Sequence, residues 1–374
     1  MTIPPGGLVC RRAAPEDAAA LLELSSSAGG DCAEEPGLLS DIGHPLSVWV
    51  VAEFCGSIVA CASMRVEPAE HLGKIQRLHA VGEGPQRHAR FSAVLSFLLE
   101  LAGDEWRTEV VYSTGTTLSH KQQELARACG FRPSGVFPKD ASRINGLAIR
   151  FLDGLLARKR HAGFSLHPAA MPFFKLAQAQ FSLPPLEAAQ RPVPADFSYD
   201  LPELELISAP RFVGERFRRL KARSSLSTNF YPFRQPNVLI TSADQSVEIF
   251  AFLSRDIRFA GLLGERLMTM VDPVALYERV TVLLRKEGAD YIEIINDAAD
   301  TLGIECILRA GFAPCGYFPA LRENGSARRD FVIFAKLPSG AVKPQAADGG
   351  IYAAFLEEFY KAVPLRQLQA SQEN

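Results

Sequence analysis

No run of eighteen apolar residues occurs in the chain, so no segment reads as a membrane-spanning helix. The seven cysteines, at positions 10, 32, 55, 61, 129, 306 and 315, include no C-x-x-C pair. That scatter excludes a zinc-ribbon or disulfide framework and fits the reduced thiols of a cytoplasmic protein, with no metal site expected. An excess of either charge is also missing: 40 Lys and Arg face 42 Asp and Glu, a formal net charge of −2. Near-neutrality argues against a polybasic nucleic-acid protein and against a disordered polyelectrolyte. The opening Met1 to Gly7 lacks the basic and apolar regions of a secretory signal.

What the chain does contain is a long-period repeat. Residues 127–138 and 309–319 share the pattern G-F-x-P-x-G-x-F-P, beginning at Gly130 and at Gly311, an offset of 311 − 130 = 181 residues. Twice that offset is 362, close to the full 374 residues. A period so long implies duplicated domains, because solenoid repeats run roughly 20–50 residues. The expected division is an N-terminal domain over 1–160, a helical and Pro-rich linker over 161–199, a C-terminal domain over 200–340, and a C-terminal helix and tail over 341–374. Within the linker, Pro168 to Phe181 reads as a helix bracing the two halves.

Hydrophobic periodicity and turn chemistry give the order of elements. In the first half, Val9 to Arg12 is a strand and a helix opens at Pro15-Glu16-Asp17. Val48 to Phe54 and Ser57 to Arg65 form a hairpin around Cys55-Gly56, and Lys74 to Val81 is a further strand. Phe91 to Ala102 is an apolar helix, Glu109 to Ser113 a strand, and His120 to Cys129 a helix capped by Gly130. Gly135 to Pro138 and Asn145 to Phe151 close the unit. The second half repeats the theme with a hairpin over Val238 to Ser242 and Val247 to Leu253, then a strand over Leu267 to Val271 whose Met268 and Met270 face a core. Asp272-Pro273 starts a helix reaching Glu287, followed by a strand over Tyr291 to Asn296, a helix over Thr301 to Ala310 and a strand over Phe331 to Lys336. Each half is therefore α/β (α+β), a mixed and mainly antiparallel sheet flanked by helices. A last helix, Ile351 to Val363, packs back on the second half.

This order, with a late helix ending in Gly-Phe-x-Pro-x-Gly, resembles the GNAT N-acetyltransferase superfamily, in two tandem copies over roughly 8–150 and 200–337. The resemblance implies an acyl-CoA-dependent N-acyltransferase, with acetyl-CoA or another acyl-CoA as co-substrate and a small-molecule or protein amine as acceptor. The family holds the diphosphate on R/Q-x-x-G-x-G/A between a strand and a helix. The matching stretch here is Gln86-Arg87-His88-Ala89-Arg90-Phe91, where Phe91 stands in place of the final small residue. Val81 and Ser113, at the ends of neighbouring strands, complete the implied cofactor set. In the second half Asp272 and Pro273 run straight into the helix, and a carboxylate there repels phosphate, so the first half is the expected binder.

Catalytic groups are less legible. Where many family members place a Tyr that protonates the leaving thiolate, this chain has Ala126 and Ile307. A base for the amine falls among Glu53, Glu67, His79 and His120, with His120 equally readable as a helix cap and His79 as a core residue. Arg158 to His161 and the Arg216, Arg218, Arg219, Lys221, Arg223 cluster read as solvated faces, and Tyr317, Phe318 and Pro319 as packing. Two other readings stand beside the transferase. One is a non-catalytic tandem module that binds an acyl-CoA, a metabolite or a protein. The other is nucleic-acid binding through Arg216 to Arg223, which predicts salt-sensitive affinity.

Overall fold

A computed structural model describes residues 7–27, 35–114, 120–140, 143–193, 199–223, 225–227, 233–338, 350–364 and 367. The chain forms two compact units. The first comprises 1–133 and 145–158, and the second 134–144 and 159–374.

The first unit begins with β1 (Val9–Arg12), α1 (Ala18–Ser27), α2 (Glu35–Ile42), β2 (Ser47–Phe54), β3 (Ser57–Glu67) and β4 (Leu72–Ala80). It continues with α3 (Gly84–Trp106), β5 (Val110–Thr114), α4 (His120–Ala126), β6 (Arg132–Asp140) and β7 (Arg143–Phe151), β6 passing to the second unit at Ser134. Its strands lie in the order β1-β2-β3-β4-β5-β7, antiparallel throughout except for β4 with β5. Alternation sorts the side chains. Val48, Val50, Ala62 and Leu78 pack beneath Phe91, Leu95 and Leu98 of α3, while Trp49, Val51 and Cys61 pack against Leu21 and Leu24 of α1. The β2–β3 turn has Cys55 at φ 51° and Gly56 at φ 77°, the pair of left-handed residues that a two-residue hairpin with right-handed strand twist requires.

After α5 (Leu155–Lys159), the second unit has α6 (Met171–Phe181), β8 (Leu204–Ser208), α7 (Pro210–Ala222), β9 (Val238–Ser242), β10 (Val247–Ser254), β11 (Phe259–Leu267) and α8 (Pro273–Lys286). Then come β12 (Tyr291–Asp297), α9 (Thr301–Arg309), β13 (Ala313–Asn324), β14 (Ala327–Lys336) and α10 (Ala353–Ala362). Its strands run β6-β13-β14-β12-β11-β10-β9-β8, antiparallel apart from β11 with β12. The expected C-terminal helix is α10, which packs on β13 and α6, with Phe173 and Phe355 in ring contact at 6.5 Å.

Three expectations need correction. The strand anticipated at 267–271 is β11, which ends at Leu267, and Met268 and Met270 are 66% and 63% exposed. Phe259 to Gly264 is buried at every position, so it carries no alternation for the sequence to reveal. The helix anticipated from Phe91 starts seven residues earlier, at Gly84, with Pro85 in its first turn. Arg160, read as solvated, is buried: its Nε donates to both oxygens of Asp330, at 3.0 and 2.9 Å. Asp330 also accepts from the Tyr317 hydroxyl and, at 2.9 Å, from the Ala320 amide, so this one carboxylate fixes the irregular stretch of β13 where Ala320 sits at φ 50°. Burial raises the Asp330 pKa, and Arg160 acts against that rise.

The repeat itself has a structural use. Gly135 of β6 pairs with Gly316 of β13, the equivalent glycines of the two motifs. A Cβ on Gly135 would lie 2.6 Å from the Gly316 Cα, so the two strands approach as only glycines allow. Gly135→Ala is expected to cost about 1–3 kcal/mol in urea denaturation. Gly103→Ala, on α3 with open space around it, is expected to gain up to about 1 kcal/mol. Arg160→Met, which leaves Asp330 buried without its cation, is expected to cost about 3–5 kcal/mol by the same measurement.

Candidate functional site

Strands β4 and β5 pair as a parallel ladder over only three positions, Leu72 with Val110, Gly73 with Val111 and Lys74 with Tyr112. β4 continues to Ala80 on β3, and β5 continues to Thr114 on β7. The two therefore part at their carboxyl ends, which is where open α/β sheets place ligands. On the exposed edge the Leu78 carbonyl is met by the Gln122 side-chain amide from α4.

Helix α3 starts at the mouth of this opening. Gly82 (φ 100°) and Gly84 (φ 48°) bend the chain from β4 into the helix. The first amides of a helix lack internal carbonyl partners, here those of Gly84 and Gln86, since Pro85 has none to offer. Arg87, Arg90 and His88 add cationic or titratable side chains on the same two turns. Arg90 Nη1 donates to the Val81 carbonyl at 3.0 Å, and its guanidinium lies 5.7 Å from the centre of the Phe54 ring. Gln86 and Arg90 fold against Gly82, where an added Cβ would meet both at 3.0 Å. Thus the stretch Gln86–Arg90 lies inside the helix rather than in a loop before it. Gln86, His88 and Ala89 are exposed, whereas Phe91 is buried in the core and its amide lies within the helical ladder. Val81 is half-buried, and Ser113 on β5 is fully buried with its Oγ unpartnered.

The other face of β4 carries polar and titratable side chains. Arg77 and His79 alternate with Leu78 and point to the α1 side, opposite Ser63 and Cys61 of β3. The Arg77 guanidinium lies 5.9 Å from the Trp49 ring centre. His79 is half-buried and its Nδ1 has no hydrogen-bond partner, and the same is true of Ser63 Oγ and Arg87 Nε. Burial, then Arg77, then Arg87 lower the His79 pKa below its usual 6.5, so the imidazole is neutral at pH 7. The Cys61 thiol, wholly buried, is pushed up to about 12 by burial and is inert as a nucleophile. Glu53 is engaged elsewhere, accepting from Arg11, which also holds Asp17 at 2.7 Å. Glu67 closes β3 at the far end, paired with Leu72. His120 opens α4, its side chain outside the described residues. Of the base candidates whose side chains are described, His79 is the one near the start of α3, where Arg87 acts on it. Sequence reasoning missed Arg77 and Ser63, whose only signal was their alternation with buried apolar neighbours.

The second unit has the same strand arrangement with opposite electrostatics. β11 and β12 also pair over three positions before parting. There the free edge is closed by backbone, with Ser227 and Glu265 exchanging N–H···O bonds of 2.9 and 2.7 Å. Helix α8 starts at Pro273 and is capped by Asp272, whose Oδ1 accepts from the Val274 amide at 2.8 Å. Burial raises the pKa of the Glu265 carboxyl, to which Tyr277 donates at 3.4 Å, with Asp300 adding to the rise. A diphosphate fits the glycine-bent, cationic start of α3 and does not fit this acid-capped one. Ala126 and Ile307 are both fully buried among apolar side chains.

A separate cleft of about 650 Å³ lies at the other end of α3, lined by Ser96, Glu100, Arg107, Cys129 and Arg150 among others. It holds none of the sequence-predicted residues, and burial raises its Cys129 thiol. In the second unit, the basic cluster on α7 is exposed at Arg218, Arg219, Lys221 and Arg223, while Arg216, with Arg266, satisfies the buried Glu248. Six cysteines among the described residues are free thiols, and no described helix is long and apolar enough to cross a membrane.

No family model matches the chain, and no curated protein does. Solved structures similar to part of it include the aminoglycoside 6'-acetyltransferase type Ii, at 11% identity over 38% of this chain and 96% of that one, with a TM-score of 0.33. Another is the ribosomal-protein-alanine N-acetyltransferase from Brucella melitensis, at 18% identity, 38% and 99% coverage, and a TM-score of 0.33. A third is the paia N-acetyltransferase from Thermoplasma acidophilum in complex with coenzyme A, at 10% identity, 39% and 99% coverage, and a TM-score of 0.32.

Proposed function

We propose that the protein is an acyl-CoA-dependent N-acyltransferase, with acetyl-CoA as the first donor to test and the first unit as the catalytic one. The observation that carries this reading is the opening between β4 and β5 with the cationic start of α3 at its mouth. An extended amide-bearing arm can pair with the free edge of β4 while its diphosphate meets the Gly84 and Gln86 amides and the Arg87 and Arg90 side chains. The acyl-CoA supplies a thioester carbonyl at the sheet. An amine entering from the α1 face attacks that carbon, the new C–N bond replaces the C–S bond, and CoA leaves as its thiolate.

His79 is placed to take the proton lost by the amine, through the unpartnered Nδ1. Its lowered pKa keeps that lone pair available at neutral pH. No tyrosine stands at Ala126 to protonate the thiolate, so the reading relies on alignment of the two substrates, which can contribute roughly 7–11 kcal/mol, and on a thiolate leaving unassisted. The second unit, acidic at the corresponding place, has no part in binding the diphosphate.

Two outcomes test the reading. Calorimetric titration with acetyl-CoA is expected to give one site per chain, with affinity falling at least tenfold in Arg87→Glu/Arg90→Glu; unchanged affinity in that variant removes the assignment. His79→Gln is expected to lower kcat by about 10²–10⁴-fold with acetyl-CoA affinity kept. Because the His79 pKa is depressed, the active neutral form dominates above pH 6.5. Wild-type activity should therefore hold through neutral pH, fall only as pH drops below 6.5, and lose that acid limb in the variant. Acetyl-CoA binding without turnover on any of a broad set of amines would favour a recognition module instead.

A further inference from the structure

The α1 face of β4 carries Arg77, and among the described residues no carboxylate pairs with Arg77 or with Arg87 beside it. The Arg77 guanidinium carbon lies 5.9 Å from the Trp49 ring centre, a cation–π contact that uses none of its N–H donors and leaves them to meet a ligand. Arg87 Nε is buried and unpartnered, as is Ser63 Oγ directly across the ladder from Arg77, where Ser63 is fully buried. Three described carboxylates of the first unit, Asp41, Glu53 and Asp17, are engaged by other partners. Asp41 takes the Arg65 guanidinium at 2.7 Å, the Trp49 indole at 3.0 Å and the Ser47 hydroxyl at 3.2 Å. Glu53 and Asp17 share Arg11. With His79 neutral, the described residues of the wall carry the charge of Arg77 and Arg87, and a purely cationic acceptor such as a polyamine would be repelled from it.

We propose that the acceptor is an amino acid, with its carboxylate on Arg77 and Ser63 and its amine at His79. The spacing supports that pairing. Arg77 and His79 are two residues apart on one strand, so their side chains leave the sheet about 6.5–7 Å apart. A ligand whose amine and carboxylate are separated by one to three carbons bridges that distance with a hydrogen bond at each end. A guanidinium binds a carboxylate through two parallel N–H bonds, and the Ser63 hydroxyl, lacking a partner, gains one by donating to the same group. Arg87, on the first turn of α3, is close enough to His79 to lower its pKa and contributes charge to both places. The assignment rests on the transferase reading for its amine chemistry, but binding of the amino acid itself does not require turnover.

The test measures binding and rate separately. Ligand-observed NMR titration of glycine, β-alanine and γ-aminobutyrate, each against its carboxamide and the amine lacking the carboxylate, is carried out on the full chain with CoA present. At least one carboxylate is expected to bind about tenfold or more tightly than its amide. That preference should vanish in Arg77→Gln, recover in part in Arg77→Lys, and appear in kcat/KM as a raised KM with little change in kcat. Ser63→Ala should weaken the same ligand without unfolding the protein, which thermal denaturation reports. Amides or simple amines binding as well as the carboxylates overturns the proposal, and so does no binding by any member of the set. Acetyl-CoA titration of the same samples shows independently whether the transferase reading survives that result.

Discussion

Parallel pairing that stops after three rungs is the constraint on which the function proposed for the first unit depends. β4 is held along its length by β3, and β5 is held by β7. Sheet twist carries the two apart once neither is required to follow the other. Beyond Lys74 the separation leaves β4 without β5 beside the start of a helix, its Leu78 carbonyl met by the Gln122 side chain. Nothing in the side chains has to create this site; they only decide what enters it. Glycines at 82 and 84 keep the helix start open, while Arg87 and Arg90 give it a sign.

The second unit has the same backbone arrangement and a different use for it. Asp272 caps its helix, and the chain at Ser227 occupies the strand edge that the first unit leaves to a side chain. The cap that stabilises α8 by about 1 kcal/mol also takes the Val274 amide and places a carboxylate where an anion would sit. The unit's buried charges are arranged for stability. Asp330 joins Arg160, Tyr317 and the Ala320 amide. Glu305, buried, is held by Arg191, Arg309 and His167 at 2.9 to 3.1 Å. Those clusters are costly to break from one side, and they fix irregular chain where apolar packing alone leaves choices open.

Much of the fold was legible because short-range chemistry dictated it. The Cys55-Gly56 turn, the Gly130 and Gly311 helix ends at φ 88° and 87°, and the Asp272-Pro273 start are local rules that the chain obeys. Elements that obey no local rule were lost. β11 lacks alternation because both of its faces are covered, and the first turns of α3 have no apolar period because they are exposed. β13 carries Pro314, Gly316 and Pro319, residue types that weaken a strand signal, and no element was anticipated there. Arg160 looked solvated because its partner lies 170 residues away. The site was half visible: the motif drew attention to Gln86–Arg90 but put the start of α3 at Phe91 instead of Gly84, and the Arg77–His79 wall depends on which way a strand faces, which a one-residue change of register would have reversed.

Hydrogen–deuterium exchange with and without CoA tests the central claim most directly, because it reads the strand edge and the helix start at once. The account predicts that CoA slows exchange in β4 beyond Lys74 and through the first turn of α3, and leaves 259–276 of the second unit unchanged. Protection centred on β11 and α8, or no protection at β4 and α3 at saturating CoA, would contradict it.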